Sequence, residues 1–279
     1  MSIFVSILLG LIQGVTEFLA VSSSGHLAII ESIFKLNYDT GSNLFFNVML
    51  HFGTLIAVVI YYRKDLKVMV SELYSILIGR NYEGRDENGR KLPKLRLTVL
   101  ILIGTLPLLL AVPFRNQVEQ LTISLGWIGA AFLVTGLLLF TADKIIPGSK
   151  KERGMSLLDA LLIGFAQAVA VIPGLSRCAV TMVTGLSRGF KRSFAVKFSF
   201  LLSVPAVLGS FIFEFGTALS EGVDWSLFPA YIAGMVAAAV AGYFAVGFIN
   251  MLVRNAKTKK LAYYCWGLGG ISLIVSLFI

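Results

Sequence analysis

Two short stretches of the chain carry the side chains that could do chemistry. The first runs Gln13-Gly14-Val15-Thr16-Glu17-Phe18-Leu19-Ala20-Val21-Ser22-Ser23-Ser24-Gly25-His26. A carboxylate, three serine hydroxyls and an imidazole supply a general base, candidate nucleophiles and a proton carrier. Gln13 precedes Glu17 by one helical turn, so the two side chains share a face and can address one ligand. The second stretch is Pro173-Gly174-Leu175-Ser176-Arg177-Cys178-Ala179-Val180-Thr181. It offers one guanidinium, two hydroxyls and backbone amides freed by a Pro-Gly turn, the makings of an oxyanion site. Arg grips phosphate oxygens as a bidentate fork, and a helix starting after the turn would aim its first amides at the same anion.

Each of these groups also has a plainer reading. Glu17 lies in an apolar run, where a charged side chain costs roughly 2.5–3.5 kcal/mol on insertion scales; a protonated Glu bonded to a neighbouring helix is the bland alternative to catalysis or ion binding. Arg177 could be no more than the ion-pair partner of Glu17. His26 sits in a polar turn and is read as functional, whereas His51, in the plain run Leu50-His51-Phe52-Gly53-Thr54, is read as packing. Cys178 is read as packing too, since little beside Arg177 would lower its pKa.

The elements that must position these residues are membrane segments. Of the 279 residues, 57% are hydrophobic and 14% charged, with a mean hydropathy of +0.84, where soluble domains carry about 25% charge. The length leaves no room for a separate soluble domain of ordinary size, so residues 1–279 read as a single integral membrane domain. The excess of nine basic residues is read as a topology signal and not as nucleic-acid binding. Cys178 and Cys265 form neither a disulfide framework nor a metal pattern. No basic n-region precedes the first apolar run, and residues 1 to 30 are read as part of the mature fold.

Eight apolar stretches are long enough to enter a bilayer, approximately 3–30, 43–62, 97–113, 122–142, 155–185, 194–214, 227–250 and 261–279. The first and fifth are broken by the two polar stretches, so each reads as a helix, a turn and a second short helix. These two also align: Gly10, Gln13 and Ser22 recur 154 residues later as Gly164, Gln167 and Ser176, and Phe46 as Phe200. Paired, interrupted segments at corresponding places point to a site between internal repeats.

Charge decides between two topologies. If all eight segments cross, Lys and Arg divide almost evenly between the two sides. If the broken segments are re-entrant hairpins, the loops near 63–96, 143–154, 186–193 and 251–260 share one side with 20 basic residues, against Lys35 and Arg115 on the other. The positive-inside rule selects the second arrangement. The expected fold is therefore all-α and polytopic, with six transmembrane helices and two re-entrant helical hairpins in an inverted-topology repeat, approximately 1–142 and 155–279. Both termini lie outside, and the hairpin tips meet near mid-membrane in a cavity. Residues 80 to 96 read as a cytoplasmic loop after an amphipathic helix at about 64 to 78.

At this point the motifs resemble a known family. Gln13-x-x-x-Glu17 with the Ser-rich turn and His26, followed by Pro173-Gly174-x-Ser176-Arg177-x-x-x-Thr181, is similar to the two signatures of undecaprenyl-diphosphate phosphatases of the bacitracin-resistance type. Order, spacing, length and repeat layout agree over essentially the whole chain. Cys178-Ala179-Val180 departs from the usual Ser-Gly-Ala, and Ala20 stands where the family commonly has Pro. The resemblance implies removal of the terminal phosphate from a C55 isoprenyl diphosphate at the outer face of the bacterial plasma membrane, recycling the lipid carrier for peptidoglycan synthesis. It implies Glu17, Ser23, His26 and Arg177 as catalytic residues and Gln13, Ser22, Ser24, Gly174, Ser176 and Thr181 as substrate-binding ones. The nucleophile stays open between Ser23, His26 and water. So few acidic residues exclude a full protein cage for a metal, so Mg²⁺ or Ca²⁺ would bind through Glu17, phosphates and water.

Two other readings compete. Inverted repeats with broken helices also describe a lipid-carrier transporter or flippase. The acid-phosphatase-like lipid phosphatases share Ser-Gly-His and Ser-Arg elements, but their Lys-x6-Arg-Pro motif and second histidine are missing here. The expected partners are the lipid substrate and membrane lipid; a homodimer is compatible with a bundle of this size, though no exposed motif compels it.

Overall fold

The computed structural model describes residues 2–34, 40–78, 96–114 and 124–278, without the side chains of 31–34, 40, 76 and 77. Lys35, Arg115 and nearly all of the expected loop at 80 to 96 lie outside the described residues. Among these residues the regular structure is helical: α1 (Ile3–Phe18), α2 (Ser23–Phe34), α3 (Thr40–Tyr61), α4 (Arg63–Leu77), α5 (Arg96–Thr105), α6 (Leu125–Lys144), α7 (Leu157–Val169), α8 (Arg177–Ser187), α9 (Arg192–Glu221), α10 (Phe228–Arg254) and α11 (Lys259–Val275). Five stretches of the described residues are long and apolar enough to cross a membrane: Gly41–Tyr61, Arg96–Phe114, Leu125–Lys144, Arg192–Glu221 and Trp225–Arg254. Large apolar side chains such as Phe4, Leu109, Ile212, Phe244 and Ile271 point outward, as a surface solvated by lipid requires. The chain is an all-α polytopic membrane protein.

Both broken segments are helix–turn–helix units, α1–α2 and α7–α8, as their polar interruptions predict. Two other boundaries differ from the sequence reading. The run expected at 97–113 is α-helical only to Thr105 and continues as a 3₁₀ helix over Leu106–Phe114. Pro107 accounts for the change, because it disfavours the α conformation at Leu106 and brings no N–H of its own. The run expected at 194–214 extends to Glu221, with Pro205 inside it. The expected amphipathic helix is present as α4, which faces Lys197 of α9 through Asp65.

Small residues let the helices approach closely. A Cβ on Gly10 of α1 would lie 2.2 Å from the carbonyl oxygen of Gly234 in α10, and one on Gly164 of α7 would lie 2.2 Å from that of Gly104 in α5. Gly10 and Gly164 are the positions that the 154-residue offset equates. Helices α6 and α11 cross at Gly129 and Gly269, where a Cβ on either glycine would lie 2.9 or 2.8 Å from the other's carbonyl oxygen.

One end of the molecule gathers the basic loops. Arg96 donates to the carbonyls of Glu152, Arg153 and Met155. Arg192 donates to those of Ala142, Asp143 and Ile145, where α6 ends. Asp143 in turn accepts from the Thr258 and Lys259 amides at the start of α11, and Lys150 exchanges backbone hydrogen bonds with Gly189 and Lys191. Loops that an eight-crossing chain would separate are thus bonded on one face.

Asp159 is the hub of that face. It completes a capping box with Ser156 and accepts from Arg188 at 2.7 Å and Lys150 at 3.3 Å. Burial alone would raise its pKa; the Ser156 amide, Arg188, the Ser156 hydroxyl and Lys150 outweigh that and hold it at about 2. A carboxylate with a depressed folded pKa contributes stability above its unfolded value and loses it as pH falls through the folded one. Asp159→Asn should therefore lower the thermal midpoint of the purified protein at pH 7, with the gap to wild type closing from about pH 4 downward. A gap independent of pH would show that the charge of Asp159 contributes nothing.

Candidate active site

The two turns meet tip to tip. Ala20 and Ser22 hold left-handed backbone, with φ of 62° and 68°, a strained conformation for residues with a Cβ that persists only where the surroundings enforce it. The turn lets α2 start at Ser23, directly beside the end of α1. In the second turn Gly174 has φ of 86°. Thr135 of α6 pins it, donating to the Gly174 carbonyl at 3.1 Å and accepting from the Ser176 amide at 3.0 Å. A Cβ on Gly25 would lie 3.0 Å from the Gly174 Cα and 2.8 Å from the Phe132 ring, so glycines make the approach of the tips possible.

Glu17 is the centre of the contact. Its Oε1 is ion-paired with Arg177, the first residue of α8. Its Oε2 accepts the Ser23 hydroxyl at 2.6 Å and the Gln13 amide at 3.2 Å, with His51 Nδ1 at 3.9 Å. A serine hydroxyl donating to a buried carboxylate, 7% exposed at its side chain, has the arrangement that a nucleophile and its base require. Ser176 caps α8 through the Ala179 amide. The first turns of α2 and α8 therefore both border one cavity of about 250 Å³, whose walls include Glu17, Ser22, Ser23, Ser24, Ser176 and Arg177. A guanidinium and two helix N-termini make this end of the cavity a place for an anion.

The remaining expected residues fall behind this front. His26 Nδ1 is 2.6 Å from the Ser22 carbonyl and must donate to it, which leaves Nε2 to accept the Tyr264 hydroxyl at 2.7 Å. The ring stacks on Tyr264 and meets Phe132 edge-on. His26 thus braces the first tip and bonds neither Ser23 nor Glu17. Thr181 is buried, donating to the Arg177 carbonyl and facing Ser199 at 2.5 Å, so its hydroxyl points away from the cavity. Gly174 packs on Ile128 and Ala131, and Gln13 is fully buried one layer below Glu17.

Other residues join the site unannounced. His51, expected to pack within a span, lines the cavity and meets Gln13 at 3.1 Å. Glu214 and Gln167 line it as well. Glu214 stands between Phe213 and Phe215, a visible signal of a charge in an apolar run, and Gln167 is the repeat mate of Gln13. Nothing in the sequence around Thr135 or Tyr264 separates them from ordinary helix residues.

Among the described residues no three His, Cys, Asp or Glu side chains cluster as a metal cage. Both oxygens of Glu17 already have protein partners. The donor set fits a divalent cation only as an ion arriving with phosphate, with Glu17 as its protein ligand.

The family described as bacitracin resistance protein BacA matches residues 6–271. An undecaprenyl-diphosphatase of Halothermothrix orenii is 37% identical over 277 residues, 99% of each chain. One of Carboxydothermus hydrogenoformans is 36% identical, covering 99% of this chain and 98% of its own. One of Alkaliphilus metalliredigens is 35% identical over 99% of this chain and all of its own.

Removing one member of a buried ion pair leaves the other charge without compensation, at a cost of about 3 kcal/mol or more. Arg177→Ala should lower the thermal midpoint of the detergent-purified protein, and adding Glu17→Gln should restore most of the loss. A single variant as stable as wild type would show that the tips do not depend on this pair.

Proposed function

Since the chain belongs to the bacitracin resistance protein BacA family, we propose that it is an undecaprenyl-diphosphatase, converting a C55 isoprenyl diphosphate to the monophosphate and phosphate. The observation that carries the reading is the trio Ser23, Glu17 and Arg177 at the wall of a cavity between two helix N-termini. Arg177 leaves Glu17 for the incoming phosphoryl oxygens, which its fork and the α8 amides neutralise. Glu17, released from the ion pair, takes the Ser23 proton while Ser23 Oγ attacks the terminal phosphorus in line. The phosphoanhydride bond breaks and the isoprenyl monophosphate departs with the bridging oxygen. Water then releases phosphate from Ser23, with Glu17 returning the proton. The geometry favours Ser23 over His26 as nucleophile, because both His26 nitrogens are engaged elsewhere. Phosphoryl transfer asks chiefly for positioning and charge neutralisation, which Ser22, Ser24 and Ser176 extend. Mg²⁺ or Ca²⁺, held by Glu17, phosphate and water, supplies further neutralisation when bound.

The same proposal places the chain in the bacterial plasma membrane as two inverted repeats, approximately 1–142 and 155–279, with six spans, two hairpins and both termini outside. Support comes from the basic loops bonded together at one end, from the equivalent contacts of Gly10 and Gly164, and from the reciprocal Gly129–Gly269 crossing. The cavity reaches Glu214, 22 residues along α9 from Arg192, or about 33 Å of helix beyond the basic face. An opening on the outer side follows, where a used lipid carrier would be recycled for peptidoglycan synthesis. A homodimer is compatible with this arrangement.

The test is phosphate release from a long-chain isoprenyl diphosphate by detergent-purified protein, with and without EDTA. Turnover should fall at least ~100-fold, roughly 2.7 kcal/mol of transition-state stabilisation, in Ser23→Ala, Glu17→Ala and Arg177→Ala. EDTA should slow the reaction, and Mg²⁺ or Ca²⁺ should restore it. Folded wild-type protein that releases no phosphate under either condition would transfer the cavity to the lipid-carrier transporter reading.

A further inference from the structure

Gln167 is an anomaly in a buried environment. It is 1% exposed, it lines the cavity, and both its amide nitrogen and its amide oxygen are buried without a hydrogen-bond partner. It lies eleven residues past the Ser156 cap of α7, about 16 Å of helix from the basic face, near the middle of a hydrocarbon core about 30 Å thick. Leaving a buried donor or acceptor unsatisfied costs about 1–3 kcal/mol. A packing role would have been met as well by Leu or Met without that cost. Its repeat mate Gln13 spends its own amide nitrogen on Glu17 and His51, whereas the position matching Glu17 in the second repeat is Val171, which offers Gln167 nothing.

The cavity wall that includes Gln167 carries the apolar Leu108, Val171, Val207 and Phe211 beside the polar Ser210 and Glu214. A diphosphate lipid needs such a sequence of surfaces. The transferred phosphate meets Arg177 and the serines, the prenyl chain meets the apolar wall, and between them lies the phosphate esterified to the chain. A neutral carboxamide set into the apolar wall suits that middle group, donating from Nε2 to a phosphoryl oxygen and accepting at Oε1 from a bound water or a protonated phosphate.

We propose that Gln167 binds the phosphate esterified to the isoprenyl chain, the one that is retained in the product. The inference rests on the phosphatase reading for its substrate class, but it is testable without turnover. The probes are a long-chain isoprenyl monophosphate, which carries only the retained phosphate, and inorganic phosphate, which carries no chain. Gln167→Met keeps length and volume and removes both polar atoms. It should weaken binding of the isoprenyl monophosphate at least tenfold, leave inorganic phosphate binding within about twofold, and unfold at the same temperature as wild type or higher, because an unsatisfied amide has been removed. Gln167→Glu, which adds like charge, should weaken the lipid probe further at pH 8 and recover affinity toward pH 5.

Unchanged affinity of Gln167→Met for the isoprenyl monophosphate would overturn the proposal. So would a clear loss of thermal stability or of folded protein, since that would assign the amide a structural partner. A wild type that does not bind the lipid probe overturns it as well. A wild type that binds the probe but releases no phosphate from the diphosphate defeats the phosphatase reading alone. Normal hydrolysis by wild type combined with unaltered product binding by Gln167→Met defeats this inference alone.

Discussion

A carboxylate and a guanidinium brought together at membrane depth set the terms for the rest of this fold. Glu17 and Arg177 come from turns 160 residues apart in the chain. Neither charge is tolerable in hydrocarbon without the other, and neither turn is tolerable there unless protein surrounds its free backbone groups. The two segments must therefore stop, turn and face one another inside a shell of other helices. The strained backbone at Ala20 and Ser22 is sustained by the same closure: His26 ties the Ser22 carbonyl, Tyr264 ties His26, and Ser23 is delivered to Glu17. On the opposite tip Thr135 does for Gly174 and Ser176 what His26 does for Ser22. A second tier of hydrogen bonds thus fixes the angle at which hydroxyl, carboxylate and guanidinium meet, the condition for preorganised charge stabilisation.

The surrounding helices answer to the same constraint from outside. Lipid provides no hydrophobic drive for helix association, so close packing of small residues has to hold the shell together. Gly10 against Gly234 and Gly164 against Gly104 allow α1 and α7, each too short to span comfortably, to seat their full length on a longer neighbour. At the basic end the orphan carbonyls of α6 are met by Arg192 and the first amides of α11 by Asp143, so helix termini that leave the membrane are satisfied by protein as well as by water. The anchoring of α7 through Asp159, Arg188 and Lys150 matters most, because that short helix must hold the second tip in place from one end.

The all-α, polytopic class was legible in the sequence because membrane solvation leaves coarse marks. Runs of apolar residues and their two polar interruptions are insensitive to side-chain packing. The charged members of the site were legible for the same reason: Glu17 and Arg177 stand out against an apolar background. What failed to show were residues whose role depends on where a neighbouring helix lies. His51 and Thr135 look like any polar residue in a span until α1 and the second tip are set beside them. Thr181 was expected to face the anion, but a hydroxyl one turn into α8 faces either the cavity or α9, and Ser199 decides for α9. The 3₁₀ continuation of α5 was signalled by Pro107 and is a local effect that apolar run length ignores.

The pairing of Glu17 with Arg177 also bears on how the proposed site would take up an anion. On that reading the carboxylate holds the guanidinium where a phosphate would bind, so the charge of Arg177 is compensated before and after a ligand enters. Exchange of one oxyanion for another at the same fork changes the net charge of the cavity far less than binding to a bare arginine would. On the proposed reading the exchange also couples recognition to chemistry, because the arrival of the group to be attacked is what would free Glu17 from Arg177 to act on Ser23. At the positions 154 residues further on, Val171 stands in place of the carboxylate and the Gln167 amide has no hydrogen-bond partner. On the proposed reading the two halves divide the chemistry, since the first would supply base and nucleophile while the second would supply the anion fork and an amide still unmatched.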